Sequence, residues 1–194
     1  MRLLGVTGGI GMGKSASAAL LAARGIPVVD TDDLARQLVI PGAAALAEIR
    51  IAFGPDCIGA DGALDRRWLA QHIFSDPAAR DRVEQILHPR IAASWRCEAE
   101  RWRRDGTAIG AVVIPLLFEK GYGPEFDAVV CVACSSDTQR RRLRDRGWSE
   151  EQIDARNSAQ LSVPEKMSCS RFVVWTEGSL EAHGGQWRRV LGRL

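Results

Sequence analysis

The sequence predicts an α/β fold in which a five-stranded parallel sheet lies between two layers of helices. Three observations predict it. Short apolar runs alternate with helical patterns along the 194 residues, as in parallel α/β sheets. The first apolar run opens directly into a glycine-rich loop followed by a helical pattern. The stretch from about 34 to 105 interrupts the alternation with almost unbroken helical pattern, so a helical lobe is inserted after the second strand.

The elements follow in order. Leu3-Leu4-Gly5-Val6-Thr7 reads as a buried strand and the segment from Ser15 to Ala23 as a helix. Between them lies Gly8-Gly9-Ile10-Gly11-Met12-Gly13-Lys14-Ser15, the G-x-x-x-x-G-K-S pattern of a phosphate-binding loop, in the strand–loop–helix context that the motif requires. The fold class is therefore that of the P-loop NTPases. Glycines let the loop curl so that its N–H groups converge on one point, where the helix N-terminus also places positive potential. Lys14 adds a charge toward the β- and γ-phosphates, and the Ser15 hydroxyl is placed to ligate Mg²⁺. A nucleoside triphosphate is the expected ligand, bound by Gly8 to Ser15.

Ile26-Pro27-Val28-Val29-Asp30 reads as the second strand. Within the helical lobe, Val83, Ile86, Leu87, Ile91 and Trp95 recur at helical spacing, and His88-Pro89 predicts a kink or boundary because proline removes a helix donor. Ile109 to Leu117, Ala128 to Ala133 and Phe172 to Trp175 complete the five strands. The helical stretch from Ser136 to Ser162 carries Arg140, Arg141, Arg142, Arg144, Arg146 and Arg156; a solvated face competes there with a lid whose arginines reach the transferred phosphate. Gly184-Gly185 predicts a final turn before a packing helix over 187–194. One domain results, with a core at about 1–33, 106–135 and 163–194, a helical lobe at about 34–105 and a lid at about 136–162.

Composition narrows the function classes. A hydrophobic fraction of 46% supports a sizeable core, and a formal charge of +2 argues against a bulk nucleic-acid binder. No stretch approaches the roughly 20 apolar residues of a membrane span, and the chain enters a strand at once, so no signal peptide, no membrane partner and a cytoplasmic location are expected. Oligomeric state is not encoded visibly; a monomer is the working expectation. The five cysteines, Cys57, Cys97, Cys131, Cys134 and Cys169, have no framework spacing. Cys131-x-x-Cys134 lies in a strand-like run without a second pair, which favours small core residues over a metal or redox site.

The acceptor side is marked by Asp30-Thr31-Asp32-Asp33-Leu34-Ala35-Arg36, which begins where the second strand ends. Loops after strand C-termini line the crevice of open α/β sheets. Asp33 fits a helix N-cap; Asp30 and Asp32 share a side if the strand geometry persists. One carboxylate near Mg²⁺ and another accepting a hydroxyl proton would serve phosphoryl transfer, and these residues alone do not decide which does which. Base-recognition and Walker-B signatures of GTPases and motor ATPases are missing, because the third strand runs on into Pro115-Leu116-Leu117-Phe118-Glu119. A small-molecule kinase remains.

At these residues the sequence resembles the dephospho-CoA kinase family over nearly its full length. The resemblance rests on Thr7 to Ser15, Val29-Asp30-Thr31-Asp32, Ala35-Arg36-Gln37, Pro41-Gly42, Phe53-Gly54, Asp61 to Arg66, Ile73-Phe74, Leu87-His88-Pro89, Pro115 to Glu119, and Arg142, Arg146 and Gln160 in the lid. It implies transfer of phosphate from ATP to the ribose 3′-hydroxyl of dephospho-CoA, the last step of coenzyme A synthesis. It further implies Asp32 as the base, with Asp30 supporting Mg²⁺ or the acceptor, and Arg142 or Arg146 closing over the phosphates. Arg36, His88 and Pro115, Leu116, Leu117, Phe118 and Glu119 fall on the acceptor side; His88 fits a packing role equally well. Departures are Met12 for a small residue, Ala16 for threonine, and Arg171 and Trp175 for polar residues near the last strand. A kinase of the same fold with another acceptor, or a nucleotide-binding regulator without turnover, is the alternative.

Overall fold

The computed structural model describes the backbone of residues 1–194 and the side chains of all except 74 and 75, so the side chain of Phe74 lies outside the described residues. The chain divides into two compact units, 1–30 with 101–194, and 31–100.

The first unit holds the sheet. Strands β1 (Arg2–Thr7), β2 (Val28–Asp30), β3 (Ile109–Val113), β4 (Ala128–Ala133) and β5 (Phe172–Trp175) are all parallel, in the order β2-β3-β1-β4-β5. The register places Asp30, Val113 and Val6 in one row. β1 is followed by β2 on one side and β3 by β4 on the other, so strand order reverses between β1 and β3. In open α/β sheets the ligand crevice forms outside the carboxyl ends of strands at such a reversal. The loop after β1 and the 115–119 turn after β3 are the two segments that emerge there.

One face of the sheet packs Leu4, Val6, Ala111, Val113, Val130, Val132 and Val174 against Leu21 of α1 (Lys14–Ala22) and Trp187 and Val190 of α9 (Leu180–Leu191). α9 runs straight through Gly184 and Gly185, where a turn was expected. The reason is close approach. A Cβ on Gly184 would stand 3.2 Å from the Arg24 guanidinium, which donates to the Gly184 carbonyl at 3.0 Å. On the opposite face Trp102 presses onto β3, where a Cβ on Gly110 would lie 2.3 Å from its ring. β3 ends at Val113 and not at Leu117. Pro115 has no N–H for the ladder, and the chain curls into a turn closed by Lys120 N–H to Leu116 O and Tyr122 N–H to Leu117 O.

The second unit comprises α2 (Thr31–Gln37), α3 (Ala44–Phe53), α4 (Arg66–Ser75) and most of α5 (Pro77–Arg104). Val39, Leu46, Ile49 and Cys57 form its small core. α2 starts immediately after β2, so the strand geometry does not persist from Asp30 to Asp32. Asp32 and Asp33 both sit in the first helical turn, where carboxylates suit the macrodipole, and Asp33 is not the cap. Asp65 is a true cap, accepting from the Arg67 and Trp68 amides of α4. α5 continues through Pro89 without a boundary. Arg90 clamps that stretch by donating to Ile86 O at 2.6 Å and pairing with Glu48 of α3.

α1 and α9 are joined by a buried hydrogen bond, Ser17 Oγ to His183 Nε2 at 2.9 Å. Burial first, and the Arg142 charge second, hold the His183 pKa below its usual 6.5. Because the unfolded chain then takes up the proton more readily, unfolding free energy should decline as pH falls below about 6.5. Urea titrations between neutral and mildly acid pH should show this slope flattened in His183→Gln; equal slopes would contradict it.

Candidate active site

The phosphate loop connects β1 to α1, and its glycines are there for space as well as for curl. Gly8, Gly11 and Gly13 have φ of 147°, 73° and 97°. A Cβ on Gly8 would lie 2.2 Å from the Val132 carbonyl oxygen, and one on Gly13 would crowd Thr176 at 3.1 Å. Every carbonyl from Gly8 to Gly13 accepts a hydrogen bond from elsewhere. Lys14 Nζ donates to Gly8 O and Gly9 O, each at 2.9 Å. Gln139 Nε2 donates to Ile10 O at 2.8 Å, Arg142 reaches Gly11 O at 3.5 Å, Thr176 Oγ1 donates to Met12 O at 2.9 Å, and the Ser17 amide closes on Gly13 O at 3.0 Å. The amides of Gly9, Gly11, Gly13, Ser15 and Ala16 donate to no protein acceptor among the described residues. These unspent donors at a helix N-terminus form a ready anion site. Lys14 sits beside them, and Ser15 is exposed at the same helix start.

Met12 is packed beneath the phosphate loop. Its side chain turns inward, 2% exposed, and its sulfur accepts from the Cys134 amide at 3.2 Å and lies 3.3 Å from Cys134 Sγ. Cys131 and Cys134 are both buried core residues. Burial raises both thiols, Cys131 to about 11, so neither is a thiolate near neutral pH.

The basic run divides into distinct jobs. α6 (Ser136–Arg144) and α7 (Glu150–Ser158) are separate helices with Gly147 at φ 82° between them. Arg140 pairs with Glu150 and Asp154, and Arg144 pairs with Glu150, so both brace α6 against α7. Arg141 donates to Thr138, and Arg156 lies over the Trp148 ring at 5.8 Å. Arg142 donates to Thr176 Oγ1 at 2.8 Å and Thr176 O at 2.7 Å, behind the phosphate loop. Arg146 is exposed, and its guanidinium has no partner among the described residues. Glu177 gathers the Ser135 amide and hydroxyl and the Trp175 indole N–H, which hold its carboxyl down at about 2.

At the 115–119 turn, Leu117 is fully buried, with its methyl group 2.6 Å from where a Cβ on Gly5 would be. Pro115 O accepts from Thr7 Oγ1 at 3.2 Å and from Lys166 Nζ at 2.6 Å. Pro115, Leu116, Phe118 and Glu119 are half-buried, as is Asp30 at the end of β2. In the second unit Asp32 is exposed, Arg36 pairs with Asp33, and His88 Nδ1 stands 3.7 Å from Glu84 on its own helix. Beside the loop, the first unit has an open cleft of about 700 Å³ lined by Gly9, Met12, Ser135, Gln160, Val163 and Trp175.

Comparisons with known proteins bear on the family and the fold. The family model described as dephospho-CoA kinase matches residues 2–182. The chain belongs to the dephospho-CoA kinase family. The dephospho-CoA kinase of Anaeromyxobacter dehalogenans is 47% identical over 195 residues, covering 100% of this chain and 92% of that protein. A solved protein from Thermus thermophilus superposes with a TM-score of 0.82 at 36% identity, over 100% of this chain and 97% of the other. Dephospho-CoA kinase from Campylobacter jejuni shares the fold, with a TM-score of 0.72 at 22% identity over 98% and 96% of the two chains.

The family reaction is phosphate transfer from ATP to dephospho-CoA, and the loop residues Gly8 to Ala16 are brought together between β1 and α1. The rest of the chain contributes residues that motif reading did not single out. Thr176 and Gln139 pin the loop from behind, and Lys166 holds the turn after β3. The available signal for Thr176 was its position directly after a strand C-terminus; a lone glutamine on a helix carries none. No helix among the described residues is long and apolar enough to cross a membrane. Because Met12 fills the space under the loop, Met12→Ala should cost about 2–5 kcal/mol of stability, measured by urea unfolding. A loss below about 1 kcal/mol would show that the site collapses around the smaller side chain.

Proposed function

We propose that this chain catalyses in-line transfer of the ATP γ-phosphate to the ribose 3′-hydroxyl of dephospho-CoA, with Mg²⁺ carried on the nucleotide. The observation that carries the reading is the phosphate loop with all six carbonyls occupied and the Gly9, Gly11, Gly13, Ser15 and Ala16 amides unspent among the described residues, set at the strand-order reversal. Among the described residues no cluster of three or more acidic, histidine or cysteine ligands exists. That suits a cation bound mainly through substrate phosphates, with Ser15 and Asp30 as the protein groups near it. Bound there, Mg²⁺ would neutralise charge on the phosphate oxygens.

Each residue then has a role. The loop amides and Lys14 hold the β- and γ-phosphates, which positions the transferred group. Asp32 accepts the proton of the attacking hydroxyl. Arg146, exposed and unpaired among the described residues, is the lid arginine that meets the phosphates, whereas Arg142 braces the loop through Thr176. Arg36, His88 and the turn from Pro115 to Glu119 serve the acceptor side, with Leu117 supporting the turn from the core. The enzyme acts as a cytoplasmic monomer without nucleic acid.

Coupled ADP-release assays with dephospho-CoA, shikimate, gluconate and nucleoside monophosphates should give turnover with dephospho-CoA alone. Asp32→Asn should retain ATP binding and lose about 10²-fold or more in transfer rate. Turnover of that variant near the wild-type rate would remove Asp32 as the base, and preference for another acceptor would overturn the assignment.

A further inference from the structure

Lys166, on the short helix α8 (Val163–Ser168), is wholly inaccessible, and among the described residues no other lysine or arginine is fully buried. Its ammonium donates to Pro115 O at 2.6 Å and pairs with Glu119 Oε1 at 2.8 Å. That carboxylate oxygen also accepts the Leu161 amide at 2.9 Å, and Oε2 is buried without a hydrogen-bond partner among the described residues. Taking such a pair out of water is costly, and well-packed apolar side chains can usually supply the same cohesion. Its position suggests what it contributes beyond cohesion. Pro115 O is shared with the Thr7 hydroxyl, and Thr7 directly precedes the phosphate loop. Leu161 lies in the short link between α7 and α8, at the C-terminal end of the lid. A single ammonium and a single carboxylate oxygen therefore tie together the root of the loop, the turn after β3 and the end of the lid.

We infer that Lys166 and Glu119 form a positioning pair, which fixes the 115–119 turn relative to the phosphate loop and anchors the lid at Leu161. Glu119 acts through the turn and not by touching the acceptor. The inference rests on the proposed reading that this turn receives dephospho-CoA. Small displacements of an acceptor site are expensive for transfer, because reacting atoms must be held close to in-line.

The test replaces both partners with apolar residues of similar length, Glu119→Leu/Lys166→Met, which removes the charges without orphaning either. The double variant is expected to fold, to lose about tenfold or more in kcat, to raise KM for dephospho-CoA, and to leave KM for ATP unchanged. Hydrogen exchange at the Leu161 amide should accelerate. A folded double variant with kcat and acceptor KM within about twofold of wild type, or with unchanged exchange at Leu161, overturns the inference. If the double variant does not fold, Lys166→Arg is read instead, since a guanidinium does not match an enclosed ammonium site. It should lower kcat/KM for dephospho-CoA and leave KM for ATP unchanged; wild-type values overturn the inference. Wild-type turnover in the same assay tests the acceptor assignment separately, and the exchange measurement needs no turnover at all.

Discussion

The structure depends on how six consecutive carbonyl groups are satisfied. A phosphate loop binds anions because its amides point inward, and amides can do so only if the carbonyls of the same peptides point outward to other donors. Here every carbonyl from Gly8 to Gly13 has such a donor. Lys14 and Ser17 supply bonds from the adjoining helix; Gln139, Arg142 and Thr176 supply them from elements that follow β4 and β5. The loop is therefore held in its binding shape jointly by its own helix and by residues distant in sequence. Its preorganisation is a property of the sheet as a whole.

This constraint explains several choices that look arbitrary residue by residue. Thr176 must follow β5 directly, so that its hydroxyl reaches Met12 O while its amide continues the ladder to Ala133 O at 2.8 Å. Gly13 must lack a side chain because Thr176 occupies that space. Met12 fills the hollow between the loop and the end of β4, where a smaller residue would leave a void. Arg142 is engaged by Thr176 behind the loop.

Much of the architecture was legible in the sequence, since it depends on residue types that few other contexts demand. The five parallel strands, the G-x-x-x-x-G-K-S loop and the family resemblance carried by Asp30, Asp32, His88-Pro89 and Pro115 to Glu119 are of this kind. The details that were not legible depend on tertiary contacts. Proline and paired glycines read as helix breaks, yet α5 passes through Pro89 and α9 through Gly184-Gly185, because an Arg90 clamp and close packing at Arg24 override local propensity. The strand expected to reach Leu117 stops at Val113, since a proline donor is missing from the ladder. The bracing by Gln139 and Lys166 leaves no pattern in sequence, because each is a single polar residue that reaches a distant main-chain oxygen, and Thr176 is marked only by its place after a strand C-terminus.

The central claim, that distant side chains preform the phosphate cradle by holding its carbonyls outward, is tested most directly by calorimetric titration of ADP into Gln139→Leu/Thr176→Val. Both substitutions roughly keep side-chain volume and remove the donors to Ile10 O and Met12 O, the second also removing the hydroxyl that accepts from Arg142. The account predicts a folded protein whose ADP affinity falls about tenfold or more, with the ordering cost moved from folding to binding. ADP affinity equal to wild type in the folded variant would contradict it.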